Sequence, residues 1–289
     1  MQNNFRTFFL MTLLTVFFVW IGGQIGGQQG LVIAFVMAAV MNLGAYWFSD
    51  KMVLRQYRAN EVGPDSNSRL YTIVQKLVDN AKMPIPKVYV IPTNSPNAFA
   101  TGRNPSHAAV CATEGILQIL NDDELEGVMA HELTHVKNRD ILTSTIAATF
   151  AGAITMISRM GMYSGSRNAS GNRSNPLFSI LILIGAPLAA MAIRMLISRT
   201  REYSADAGGS EMSGKPLSLA SALKKLHHGV QRKPMQRANP AHAHMFITSP
   251  FLGGVQKMFA THPPMEERVR RLEELANSRQ YQNREYLDS

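Results

Sequence analysis

Four stretches of this 289-residue chain carry almost no charge, and they restrict its possible folds more than any other feature. They are 7–22 (TFFLMTLLTVFFVWIG), 31–48 (LVIAFVMAAVMNLGAYWF), 141–158 (ILTSTIAATFAGAITMIS) and 177–198. A helix needs about 17–25 apolar residues to cross the hydrocarbon of a bilayer, and the first two blocks reach that length once their uncharged flanks are counted. An apolar fraction of 46% would also suit a soluble enzyme, so the bunching decides: 29 Lys and Arg and 20 Asp and Glu crowd into the remainder. The pattern is that of a membrane protein with a soluble part.

The first block is not read as a signal peptide, because no small-x-small cleavage site follows it and a second apolar block does. A hairpin of two spans over residues 1–48 is expected instead. Its joining segment GGQIGGQQG is uncharged whereas Lys51, Arg55 and Arg58 follow it, which puts both hairpin ends in the cytoplasm. The net charge of +9 is topological on this reading, since no basic run interleaved with aromatics offers a nucleic-acid surface. The lone cysteine, Cys111, excludes an internal disulfide and suits a reducing compartment.

Between the blocks, apolar residues at helical spacing predict a helix over 66–81. Short strands are expected at Val88 to Ile91, at NAFATG and at HAAVCAT, forming a small sheet that is antiparallel in part. Asn121 followed by Glu124 reads as a capping box, so a helix begins at NDDELEGVMAHELTHV, and no proline interrupts it before the third block. The sequence around 161–175 is a Gly/Ser/Asn/Arg-rich loop, and the polar remainder ends in MEERVRRLEEL, with Pro263 and Pro264 at its entry.

The helix that begins at NDDELEGVMAHELTHV carries His-Glu-x-x-His. His131 and His135 lie one turn apart on one face, the spacing for two imidazoles on one tetrahedral zinc, and Glu132 sits about 100° round, free of the metal but able to reach its water. That is the arrangement for a hydrolysis in which zinc acidifies a water and Glu132 carries its proton to the leaving amine. Two histidines leave the site short of a ligand. In SRTREYSADAGG, Glu202 and Asp206 again share a helical face, so Glu202 is expected as the third ligand and Asp206 as the carboxylate that accepts a ligand histidine's other N–H. Two carboxylates one turn apart repel, which a nearby cation would explain.

HELTH, then REYSADAGG, then THPPMEERV, with apolar blocks before and between, resembles the HtpX-type heat-shock membrane metalloproteases, which share a peptidase family with the CAAX prenyl endopeptidases. The resemblance covers essentially the whole chain. It implies an α-rich α+β fold with four transmembrane helices and a zincin-like catalytic domain carrying the small sheet. On that plan 1–48 is a membrane hairpin, 49–140 the first part of the catalytic domain, 141–198 the third and fourth membrane segments, and 199–289 the second part. It further implies a zinc endopeptidase of the bacterial inner membrane, one Zn2+ per chain, its active site facing the cytoplasm. Its partners would be the lipid bilayer and polypeptide substrates, namely damaged or misfolded membrane proteins degraded as quality control under stress. Glu202 is the ligand this family's E-x-x-x-D motif assigns. His262 and Arg268 are brought near the site by the same resemblance, His262 as a donor to the oxyanion and Arg268 as an organiser of carboxylates.

An extended substrate would suit the edge of the NAFATG strand, with Asn97 and Ala98 as contacts. His242, His244, His107, His227 and His228 read as solvated, and Asp140 as a surface partner of Lys137 or a lipid-boundary mark. The loop between blocks three and four holds Arg159, Arg167 and Arg173 and no acid, so both blocks span or neither does, since His131 and Glu202 must meet. Two rivals stand beside this reading. A prenyl-protein endopeptidase is disfavoured by the short soluble part, and a membrane adaptor with a vestigial metal site by the intact Glu132.

Overall fold

The computed structural model describes residues 2–142, 144, 146, 199–235, 245–248 and 263–287. It divides into two compact units, Met1–Ser49 with Leu142–Leu196 and Asn239–His242, and Asp50–Ile141 with Ile197–Ala238 and Ala243–Ser289.

The first unit is built on α1 (Gln2–Gln56), whose helical path breaks at Gly26 and Gly27. Gly27 has φ +57° and ψ −140°, a conformation open to glycine alone, and the uncharged joining segment thereby becomes a reversal rather than a rod. Asn42 in the second arm donates to Thr15 Oγ1 at 2.7 Å in the first, and Ala45, Met41, Met11, Phe18, Leu142 and Ile146 pack together. The other faces are bare and apolar: Phe8, Val32, Ile33, Val36 and Val40 are all more than half exposed. Such a surface is unfavourable in water and natural in lipid. Among the described residues, one helical segment, Gly26–Phe48, is long and apolar enough to cross a membrane. The 7–22 block is helical too, but its apolar core, Met11–Trp20, is shorter. Most of blocks three and four lies outside the described residues.

The second unit sets a four-stranded mixed sheet, order β1-β2-β4-β3, beside a group of helices. β2 (Lys87–Ile91) runs parallel to β4 (Ala108–Thr113), which is antiparallel to β3 (Ala98–Gly102). β1 (Asn60–Val62), unforeseen in the sequence, pairs antiparallel with β2. At three residues, two of them exposed, β1 has no periodicity to read, and its hold is local: Glu61 accepts from Lys87 and from Tyr89. α2 (Arg69–Ala81) begins three residues later than its periodicity predicts, because Pro64–Ser66 is a 3-10 turn and Ser68 takes the cap position. It buries Leu70, Ile73, Val74, Leu77 and Val78, the stripe that predicted it. A short α3 (Glu114–Ile119) follows β4.

α4 (Asp122–Lys137) is the centre of this unit, packed by α2, β3, α5 (Arg199–Ser213) and α6 (Pro216–Arg232). Leu125, Val128, Met129, Ala130 and Leu133 are wholly buried. Its capping box forms in both directions at 2.9 Å. Glu124 also accepts from Ser221 and Lys225 at 2.7 Å, so the cap ties α4 to α6. The helix does not run on unbroken towards the third block. Arg139 takes a left-handed φ of 59° after the C-cap Asn138, and its N–H goes back to Val136. The chain therefore turns with neither proline nor glycine, and helical structure resumes at Asp140. The last element is α7 (Met265–Leu287), entered through Pro264 as the sequence predicts.

Candidate metal centre

α4 and α5 touch backbone to backbone. A Cβ on Gly209 would lie 2.8 Å from the His131 nitrogen, closer than real Cβ atoms come, so the glycine after SADAG lets α5 lie against α4. Glu202 and Asp206 precede it on the same face and are thereby pressed onto the two histidines. All but His135, which is partly exposed, are enclosed: His131 is 1% exposed, Glu132 2%, Asp206 3% and Glu202 7%.

The Glu202 carboxylate faces both imidazoles, with Oε2 3.8 Å from His131 Nε2 and Oε1 3.5 Å from His135 Nε2. One ligand atom from each of these residues can be chosen so that all lie within 4.8 Å of one another. Four-coordinate zinc, with bonds near 2.0–2.1 Å, separates its ligand atoms by about 3.3 Å, so the three nearly enclose a zinc-sized point. The donor chemistry fits as well. His131 Nδ1 lies 2.9 Å from Asp206 Oδ1, and His135 Nδ1 lies 3.2 Å from Asp140 Oδ2. A carboxylate beside each Nδ1 favours the proton there, which leaves each Nε2 lone pair for the shared site.

The protonation tendencies follow from burial and charge. Burial lowers the His131 imidazole and wins over the Asp206 contact, favouring the neutral ring a metal requires. Burial also pulls His135 down, but the Asp140 hydrogen bond and the Glu202 and Glu132 charges outweigh it, leaving it raised. Asp206 stays below the usual carboxylate range despite burial, because Arg268 grips it with Nε at 2.8 Å and Nη2 at 2.6 Å. Burial pushes Glu132 up to about 7, partly offset by His135. The Ala100 N–H of β3 lies near it and favours its charged form.

Five expected residues thus meet in one place: His131, Glu132, His135, Glu202 and Asp206, with Arg268 behind them at 1% exposure. Asn97 and Ala98 lie on the neighbouring edge strand but are bonded to the chain itself, to Thr248 and Ile247. His262, His242 and His244 lie outside the described residues. His107 is exposed and touches Asn104, while His227 and His228 sit together on α6, far in sequence from any ligand. Sequence reading missed Asp140 as the partner of His135. The signal available was an Asp five residues past the second histidine, legible only to a reader who knew that Arg139 turns the chain back.

Residues 64–276 match the family model for Peptidase family M48. The chain is 53% identical to a "Protease HtpX homolog" of Syntrophotalea carbinolica, over 95% of this chain and 99% of that one. It is 51% identical to the protein of the same description from Ralstonia pickettii, covering 97% and 99%, and 50% identical to that of Burkholderia mallei, covering 96% and 99%. Its fold resembles the crystal structure of Ste24p from S. mikatae with a TM-score of 0.54 at 19% identity, over 89% of this chain and 61% of that chain. With a buried His-His-Glu cluster beside an enclosed glutamate, and a family match running from before β2 into α7, the chain belongs to Peptidase family M48 and is a metalloprotease.

Proposed function

We propose that the chain is a membrane-integral zinc endopeptidase that cleaves polypeptides, chiefly damaged or misfolded membrane proteins, from the cytoplasmic face of a bacterial inner membrane. The observation that carries the chemistry is the pair of imidazoles whose Nε2 atoms face Glu202 while each Nδ1 is backed by a carboxylate. His131, His135 and Glu202 hold the zinc. When bound, zinc polarises the scissile carbonyl and makes water a competent nucleophile near neutral pH. Glu132, raised to about 7 by burial, takes up and releases a proton readily in that range. It accepts one from the attacking water and returns it to the departing amine nitrogen. Asp206 and Asp140 hold the imidazoles in the ligating tautomer, and Arg268 keeps Asp206 ionised and in place.

An extended substrate lies along β3, with Asn97 and Ala98 bordering its course. His262 completes the reading as donor to the oxyanion, a role that rests on its place in THPPMEERV. Residues 1–48 and 141–198 supply four membrane segments, and 49–140 with 199–289 the catalytic domain, on the strength of the uncharged blocks and the lipid-suited surface of α1. The test uses full-length protein in detergent and an unfolded model substrate. Glu132→Gln is expected to keep about one zinc per chain by elemental analysis while cleavage falls about 10²–10⁴-fold, the usual worth of a general base. Retained cleavage would sink the mechanism.

A further inference from the structure

Among the described residues β3 ends the sheet, with no strand beside the outer side of its backbone. The Thr113 N–H bonds to Asn97 O, and the β3–β4 register then turns Phe99 and Thr101 inward to β4 and Ala98, Ala100 and Gly102 outward. That outward edge is where the substrate main chain is placed above, and the register puts Ala100 at its centre, between Ala98 and Gly102. The edge is not open along its length. The segment 245–248 already lies on its Ala98 end, with the Ile247 N–H donating to Ala98 O at 3.0 Å.

The hold on this segment is unusually complete for four residues. The Asn97 side chain imitates a peptide group: its Nδ2 donates to Thr248 O at 2.8 Å and its Oδ1 accepts the Thr248 N–H at 3.3 Å. Arg268 Nη1 donates to Ile247 O at 3.3 Å. Phe246 is 1% exposed and meets Phe99 and Tyr57 edge-on, with ring centroids 5.3 and 5.4 Å apart. Both peptide groups that could invite a strand are satisfied, and the aromatic anchor excludes water from beneath them.

We propose that Met245–Thr248 is a resident stop segment, which closes the Ala98 end of the β3 edge and confines backbone pairing of the substrate to Ala100–Gly102. This rests on the peptidase reading above and adds a specificity rule to it. Substrate residues on one side of the scissile bond gain main-chain hydrogen bonds to β3, and those on the other side gain none. A long unfolded chain is then gripped on one side only. Phe246 is the positioning residue of the stop and Asn97 its clasp.

The experiment takes zinc-loaded full-length protein in detergent and a cleavable model peptide lengthened stepwise on either side of its scissile bond. In the wild type, lengthening one side is expected to lower KM about tenfold, the worth of one or two net hydrogen bonds, and lengthening the other side less than twofold. Phe246→Ala should make both sides productive, and Phe246→Leu, which keeps an apolar anchor, should restore the one-sided profile. Should Phe246→Ala lose its fold, Asn97→Ala serves the same comparison, because it frees Thr248 without removing an aromatic from the core. Hydrogen exchange on Glu132→Gln supplies a readout independent of turnover: the Ile247 and Thr248 amides should stay protected when peptide binds. Equal KM gains on both sides in the wild type, or loss of that protection on binding, would overturn the stop alone. Absence of metal-dependent cleavage of every peptide would remove the peptidase mechanism and the stop with it.

Discussion

Asp206 and Asp140 do the same work for different histidines, and their supports differ. Asp206 is clamped by the Nε–Nη2 edge of the Arg268 guanidinium, whereas Asp140 depends on the turn at Arg139 to face His135 at all. Asp206→Asn keeps the shape but no longer holds the His131 tautomer by charge, so metal affinity should fall about 10–100-fold, measured by competition with a chromogenic chelator. Arg268→Lys should fall in the same assay, since an ammonium cannot reproduce the fork that grips both Asp206 oxygens. Unchanged affinity in both variants would show that the carboxylate acts only as filler. At this scale the sequence was generous where residues repeat with a helix. His131, His135, Glu202 and Asp206 each follow the four-residue step, and that step survives folding. Asp140 was illegible because its role depends on one left-handed residue, and Ala100 because it acts through a backbone N–H that any residue would offer.

Elements bring those residues together, and two devices matter most. The capping box of α4 was written plainly in Asn121 and Glu124, but its tie to Ser221 and Lys225 on α6 was not, since nothing in a linear sequence says which helix will lie alongside. Asn121→Ala should lower stability by about 1 kcal/mol while activity per folded molecule stays within twofold, a result read from thermal melts beside turnover. The crossing of α4 and α5 is less forgiving. Gly209→Ala places a methyl against the His131 backbone, where no flexible side chain can yield. The helices must separate, at about 1–3 kcal/mol, and Glu202 moves with them. Weaker zinc binding together with a lower melting temperature is the expected pair of outcomes; a wild-type metal affinity would mean that α5 accommodates the methyl by rotating. Strand β1 and the break after α4 were missed for a common reason: three residues and a single φ lie below the length at which hydrophobic periodicity speaks.

For the molecule as a whole, the bound metal and the fold are linked. A site that gathers His131, His135 and Glu202 only in the folded chain should make that chain less stable when emptied, because the metal binds the folded state and not the unfolded one. Stripping zinc with a chelator should lower the unfolding free energy by about 4 kcal/mol where the metal had stood at a thousandfold its Kd, and readdition should restore it. Melting that ignores the chelator would detach the cluster from the fold. The hairpin offers a parallel test in cells. With the buried Cys111 replaced by serine, a cysteine at Gly27 should react only with reagent outside the inner membrane and one at Arg58 only after the membrane is opened. Arg268 has one more consequence, concerning time. It is carried by α7, which is made after α4 and α5, whereas His131 and Glu132 are made long before. A nascent chain halfway through the ribosome would own the motif of a protease while its Asp206 still lacked the guanidinium that steadies it. The order of synthesis therefore leaves the centre without its brace until α7 has followed α4 and α5 out of the ribosome.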